Sequence, residues 1–251
     1  MTMNGKSMLV TGGGRGIGAS VARLGAAAGW RVAINYTAND KAASALVDEI
    51  VSAGGDAFAI KGDVGEERDV LAMFAAVDER FGRLDGLVNN AGVVDRKARI
   101  DEMSVDRLTR MMRINVIGSF LCAREAVKRM STKHGGKGGS IVNLSSVAAV
   151  LGAPGEYVDY AASKGAIDTF TLGLSREVAT EGVRVNAVRP GIIDTEIHAS
   201  GGQPDRVAAM SGFVPMQRAG TADEVARAVL WLLSDEASYT TGAILNTSGG
   251  R

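Results

Sequence analysis

The chain has 251 residues, 46% of them hydrophobic, enough to bury the core of one large α/β domain over residues 1–251. Lys plus Arg and Asp plus Glu each number 28, and no run of like charge stands out, so the electrostatic footprint of a nucleic-acid binder is missing. The single cysteine, Cys122, excludes an internal disulfide framework and points to a reduced compartment; with no signal-peptide core and no long apolar window, the expectation is a cytoplasmic protein that engages no membrane.

Taken in chain order, an apolar run over 8–10 ends in Thr11-Gly-Gly-Gly-Arg-Gly-Ile-Gly18, and helix formers follow over 19–28 up to Gly29. The reading is strand, glycine turn, helix. A strand over 31–36 and a helix over 40–53, with Ala42, Ala45, Leu46 and Ile50 at helical spacing, come next, and Gly54-Gly55 stops the helix. A third strand over 57–60 runs into Asp63-Val64, and a helix over 66–81 carries Val70, Leu71, Phe74 and Val77 on one side. Strand four, over 85–88, stops at Asn89-Asn90-Ala91-Gly92. The second half predicts a long helix over 105–130, a strand over 140–144, another long helix over 157–180 and a strand over 183–188, broken at Arg189-Pro190-Gly191. Residues 194–220 show little period beyond a short helix around 206–210, which reads as a substrate lid. Thr221-Ala-Asp-Glu224 is a capping box for a helix to 233, and a last strand over 243–245 precedes Gly249-Gly250. Short unbroken apolar strands alternating with longer helices predict a mostly parallel sheet covered on both faces.

Two stretches carry chemistry. A strand that feeds Gly12, Gly16 and Gly18 into a helix lets backbone N–H groups approach a pyrophosphate at a helix N-terminus. Its spacing is Gly-x-x-x-Gly-x-Gly, not the general Gly-x-Gly-x-x-Gly, and an ordinary tight turn is the competing reading. Tyr160 and Lys164, four residues apart, share one face if the segment is helical, so a phenol and an ammonium could form an acid–base pair. On spacing alone that pair could equally be a helix surface.

Thr11-Gly-x-x-x-Gly-x-Gly18, Asn89-Asn90-Ala91-Gly92, Asn115, Ser146, Tyr160-x-x-x-Lys164 and Pro190-Gly191 occur together and in order. In this the chain resembles the short-chain dehydrogenase/reductase family, in particular its compact members such as 3-oxoacyl-carrier-protein reductases and glucose 1-dehydrogenase-like enzymes. The resemblance implies a Rossmann-type doubly wound sheet of about seven mostly parallel strands. It also implies hydride transfer between a nicotinamide cofactor and a small-molecule carbonyl or alcohol, with Tyr160 as general acid in reduction and base in oxidation. Moving a phenol from about pH 10 to about 7 takes about 4 kcal/mol. One cation about 4 Å away at an effective dielectric of about 20 is worth about that much. Lys164 is therefore sufficient in scale, and by resemblance it also binds the nicotinamide ribose.

The same resemblance implies that Ser146 orients the substrate oxygen, with Ser145 as its rival, and that Asn115 holds a water linking Lys164 to solvent. Gly12, Gly16, Ile17 and Gly18 would take the pyrophosphate. Asp63 and Val64 would take the adenine, although a helix-capping Asp63 is the plainer reading. Asn90, Ala91 and Gly92 would flank the cofactor while Asn89 braces the sheet, and Pro190, Gly191, Ile193 and Thr195 would meet the nicotinamide end. At the end of strand two the chain has Asn35-Tyr36-Thr37 where an acidic residue would select NAD, so Asn35 joins the cofactor set. Arg15 is placed to pair with a 2′-phosphate. NADP(H) is the expected cofactor, with NAD(H) possible, and no metal is expected.

One departure stands out: thirteen residues separate Ser146 from Tyr160, one more than in many relatives, and Tyr157 is a decoy phenol without a lysine at the required offset. The extra residue near Ala153-Pro154-Gly155-Glu156 reshapes the substrate wall. His198, in the lid, reads as a surface residue. A nucleotide-sensing regulator, or an NAD-dependent epimerase or dehydratase on the same fold, are the alternatives. By resemblance the helices over 105–130 and 157–180 pair across subunits in a homotetramer or homodimer.

Overall fold

Strands that are apolar on both faces need cover on both sides, and the helices between them supply it. The computed structural model describes residues 5–251 and, within them, the side chains of all but His198 and Ser200. Seven strands, β1 (Ser7–Val10), β2 (Arg31–Tyr36), β3 (Asp56–Lys61), β4 (Gly86–Asn89), β5 (Gly139–Leu144), β6 (Val183–Pro190) and β7 (Ile244–Thr247), form one sheet in the order β3-β2-β1-β4-β5-β6-β7. Every neighbouring pair is parallel. Successive strand residues go to opposite layers: Met8 and Val10 face one core with Val32, Ile34 and Val88, while Leu9 faces the other with Ala33 and Leu87.

The first layer is closed by α1 (Gly16–Ala27), α2 (Asp40–Ser52) and α10 (Ala222–Leu233), through side chains such as Val21, Leu46 and Val229. The second is closed by α3 (Glu67–Phe81) and α5 (Gly118–Met130), with Phe74, Val77, Cys122 and Met130 buried against the strands. Local signals start and stop these helices. The Asn39 side chain accepts from Ala42 N–H at the start of α2, Thr221 and Glu224 cap α10 reciprocally, and α3 ends on Gly82 in the left-handed region at φ 72°.

The predicted helix over 105–130 is a composite. It consists of α4 (Val105–Met112), a π-helical turn over Arg113–Ile117, and α5, in one unbroken run. The predicted helix over 157–180 is α7 (Val158–Glu177) followed by a 3-10 turn, and a short α6 (Ala148–Leu151) lies ahead of it. β6 runs two residues beyond the expected 188, to Pro190. Residues 194–220 contain the short helices α8 (Ile197–Ser200) and α9 (Arg206–Ser211).

This topology fixes where a site can form. The chain leaves β1 to build β2 and β3 on one side, then returns to place β4 on the other. The loops that follow β1 and β4 therefore diverge and leave a crevice at the carboxyl ends of the strands. Among the described residues no helix is long and apolar enough to cross a membrane, and no group of His, Cys, Asp and Glu could hold a metal ion.

Candidate active site

The glycine turn sits at that crevice and is pinned from beneath. Asn35 is buried at the end of β2; its Oδ1 accepts from Gly12 N–H at 3.1 Å and its Nδ2 donates to the Gly62 carbonyl at 2.9 Å. From the other side, Asn90 Nδ2 donates to the carbonyls of Thr11 and Gly12 at 2.9 and 3.0 Å, and Thr11 Oγ1 accepts from the N–H groups of Asn90 and Ala91. The turn is thus held rigidly against β4. Gly12 has φ 59°, and a Cβ there would lie 2.9 Å from Ala91 Cα, so only glycine fits.

Above the turn opens a cleft of about 580 Å³. It is lined by Gly12, Arg15, Gly16 and Ile17 of the turn, by Tyr36 at the end of β2 and Thr37 and Asn39 after it, and by Asp63 and Val64 after β3. Asn90, Ala91 and Gly92 continue the cleft toward α7, and Thr195 and Glu196 roof it. A glycine-rich cradle of backbone at a helix N-terminus, bordered by the arginine Arg15, fits the diphosphate of a dinucleotide.

Several sequence-selected residues are placed differently from the rest. Asn35 supports the turn from below and is not among the residues lining the cleft. Gly18 is inside α1, where a Cβ would sit 2.6 Å from the Gly12 carbonyl oxygen, so its contribution is close packing. Asp63 lines the cleft, but its Oδ1 accepts from Gly65 N–H and its Oδ2 from Arg113 Nη2, each at 2.9 Å. Gly191 packs on Ser248, and Ile193 pairs with Gly220 beside a second cavity of about 420 Å³ that also involves Arg218 and Arg251. Pro190 closes β6 and is buried. Arg110 and Arg113 also line the cleft, and nothing in their local sequence marks them.

Beside Gly92, where an added Cβ would lie 3.6 Å from Lys164 Nζ, α7 carries Tyr160 and Lys164 one turn apart, and the residues just after β5 are Ser145 and Ser146. Ser145 Oγ is buried and donates to the Lys164 carbonyl at 3.2 Å, which commits it to bracing the helix. Ser146 is the serine that reaches Tyr160, by a hydrogen bond that favours the phenolate. Lys164 is buried, its Nζ donating to the Leu144 carbonyl at 2.6 Å and lying 5.6 Å from the Tyr160 ring centre.

The pKa shifts correct the sequence arithmetic. Burial pushes the Tyr160 phenol up, with the Ser146 hydrogen bond opposing it, and burial pushes the Lys164 ammonium down to about 8, with the Asp168 charge opposing it. The arithmetic counted the attraction of an ammonium for a phenolate and left out the desolvation of both. Burial of both groups therefore opposes the shift that the attraction alone would give, while the Leu144 carbonyl takes only one of the ammonium's three N–H donors.

Asn115 lies in the π turn, fully buried. Its Oδ1 accepts from Val93 N–H at 2.8 Å, and its Nδ2 donates to the Val93 carbonyl at 3.0 Å and to Ser163 Oγ at 3.1 Å. Ser163 in turn donates to the Tyr160 carbonyl at 2.7 Å. The side chain that sequence assigns to a water is used to clamp the segment after β4 to the helix bearing Tyr160. Asn89 does brace the sheet, donating to Asn143 Oδ1 at 2.9 Å.

Tyr157 precedes α7 and contacts the segment 194–220. Its hydroxyl accepts from Gln203, Arg206 lies 5.2 Å over its ring, and Arg206 pairs with Glu156 at 2.8 Å. Next to it, Asp159 takes a two-point contact from Arg107, at 2.7 and 3.1 Å, in a nearly dry environment. The backbone of His198 lies in α8; its side chain is outside the described residues.

Comparisons agree with this geometry. A family model described as enoyl-(acyl carrier protein) reductase matches residues 12–251. The chain is 55% identical over 243 residues to the oxidoreductase YgfF of Escherichia coli (strain K12), covering 97% of this chain and 98% of the relative. It is 38% identical over 249 residues to 3beta-hydroxysteroid dehydrogenase 1 of Eggerthella lenta, covering 99% of this chain and 94% of that one. Among solved structures, a short chain dehydrogenase from Burkholderia cenocepacia J2315 in complex with NADP superposes with a TM-score of 0.91 at 34% identity, covering 100% of this chain and 99% of that one.

Proposed function

Since this chain belongs to the short-chain dehydrogenase/reductase family of oxidoreductases, we propose that it interconverts a ketone or aldehyde and an alcohol with NADP(H), using Tyr160 as general acid and base. The carrying observation is that Gly92, which lines the same cleft as the glycine turn, lies beside the buried Lys164 Nζ of a Ser146–Tyr160–Lys164 group. The bound nicotinamide supplies the hydride.

The chain's own residues do the rest. In reduction Tyr160 delivers its proton to the carbonyl oxygen, and Ser146 donates a hydrogen bond where negative charge develops. The Lys164 ammonium favours the phenolate that Tyr160 becomes, and it is held for this by the Leu144 carbonyl. Gly12, Gly16 and Ile17 would hold the diphosphate on a turn that Gly18 lets pack closely, Asp63 and Val64 the adenine, and Asn90, Ala91 and Gly92 the middle of the cofactor. Pro190, Gly191, Ile193 and Thr195 would shape the nicotinamide end.

The NADP(H) preference is supported by Arg15, whose guanidinium borders the cleft, and by Tyr36 and Thr37 at the strand end. Asp40, the carboxylate four residues beyond Tyr36, accepts from the Tyr36 hydroxyl at 2.6 Å. We place the protein in the cytoplasm as one domain with a lid over 194–220. We take it to be a homotetramer or homodimer built on α5 and α7.

Carbonyl compounds and alcohols screened with NADPH and NADP by absorbance test this reading. Turnover is expected with higher kcat/KM for NADPH than for NADH, and a clear NADH advantage would reverse the cofactor assignment. Tyr160→Phe should lose turnover by about a thousandfold or more while binding NADPH normally. Unaltered rates in that variant would refute the role given to Tyr160, and tight nucleotide binding with no turnover in any pairing would favour a nucleotide sensor.

A further inference from the structure

The helix that carries Tyr160 and Lys164 holds another buried charge, which the chemistry above leaves unused. Asp168 follows Lys164 by four residues on α7, one turn along the same face, and is 7% exposed. Its Oδ2 accepts two hydrogen bonds from Arg189, from Nη2 at 2.7 Å and Nε at 3.0 Å. Its Oδ1 is buried without a hydrogen-bond partner among the described residues. A buried carboxylate oxygen that lacks a donor is unfavourable, and an apolar residue of similar shape would pack there at lower cost. Packing alone therefore gives no account of Asp168.

Its position does. Arg189 lies near the end of β6, directly before Pro190-Gly191, and β6 pairs with β5, whose Leu144 carbonyl accepts from Lys164 Nζ. We propose that Asp168, fixed by Arg189, is a positioning residue for the proton step: its negative charge, one turn from Lys164, keeps the lysine in the ammonium form that acts on Tyr160. The proposal rests on the acid–base reading of Tyr160 and Lys164 given above.

The charges around Lys164 set the sign. Tyr160 and Asp168 share its helix, and β6 contributes the Arg189 guanidinium. α4 brings Arg107, already paired with Asp159, to the first turn of α7. β5, the π turn and the segment after β4 contribute the Leu144 carbonyl, Asn115 and Gly92, all uncharged. Burial drives Lys164 down to about 8 and Asp168 opposes that. An ammonium-dependent rate is present below this pH and lost as pH rises through it. Removing the Asp168 charge leaves burial and Arg189 unopposed, so the loss moves to lower pH. Removing Arg189 leaves the carboxylate unneutralised, so the loss moves to higher pH.

Asp168→Asn, Arg189→Gln and the double variant test this by titrating Lys164 with NMR of 13C-lysine-labelled protein, its signal assigned by loss in Lys164→Met, beside pH profiles of kcat with NADPH. The expected midpoint falls by about one unit in Asp168→Asn, rises in Arg189→Gln and returns close to the parent in the double variant. A midpoint unmoved in both single variants, or moved the same way in both, overturns the proposal and leaves the pair as a brace, which would lower rate and Tm alike at every pH. If Asp168→Asn does not fold, the direction of the Arg189→Gln shift decides alone. NMR reads the coupling without turnover, so it stands or falls separately from the acid–base reading, which Tyr160→Phe decides.

Discussion

An added Cβ at Gly18 would lie 2.6 Å from the Gly12 carbonyl oxygen and 2.9 Å from Gly13 Cα. Both are backbone atoms of the turn that Asn35 and Asn90 hold in place, so the turn itself must move. Gly18→Ala should therefore weaken NADPH binding at least about tenfold, which is about 1.4 kcal/mol, with the fold retained. Calorimetric titration checks it, and an unchanged Kd would mean that the turn does not carry the cofactor. Gly18 was legible because glycine spacing writes a close approach directly into the sequence. The inward turn of Asn35 was not, since a strand end does not announce which layer receives its side chain. Asp168 and Arg189 were also invisible: their contact spans 21 residues and exists only once α7 lies across β6.

At the scale of elements, the alternation of apolar runs and helical spacing named all seven strands, with no strand end off by more than two residues. Two features lay beyond periodicity. A π turn adds one residue to a helical turn without changing which residue types are helix formers, so the run over 105–130 looked uniform. Asn115 was its one visible mark, as a poor helix former in the interior. The segment 194–220, short of periodic apolar residues, showed one of its two short helices.

The π turn has a measurable consequence. Asn115 satisfies both the N–H and the carbonyl of Val93, which follows β4 and has no place in the sheet ladder. Asn115→Ala removes the partner of both groups at a part-buried position and empties a buried amide site, at about 1–2 kcal/mol for each lost contact. A stability loss of about 2–4 kcal/mol in urea unfolding is expected, together with lost activity. A variant that loses activity at full stability would show that the amide acts in chemistry and not as a clamp.

For the whole molecule, the surface left open by α5 and α7 matters most. Ile117 and Phe120 are 50% and 46% exposed, Leu172 is 37% exposed, and the Phe120 ring stacks on Phe170 with centres 3.8 Å apart. An apolar strip spread over two adjacent helices is unfavourable in water and suits burial against a second copy of itself. The same helices carry the site: the π turn with Asn115 leads straight into α5, and Tyr160 and Lys164 lie on α7. Assembly through this strip would brace both from outside, in addition to the Arg107–Asp159 pair that ties α4 to α7 from within. Phe120→Glu places a charge in the strip and gives up only the half-exposed stack on Phe170, so the monomer fold should survive. Sedimentation should then show a smaller species than the parent, with kcat reduced and NADPH affinity retained, because the glycine turn is on the other side of the crevice. An unchanged sedimentation coefficient would remove α5 and α7 as the assembly surface, while a smaller species with undiminished kcat would show that the catalytic helix is held by its own chain alone.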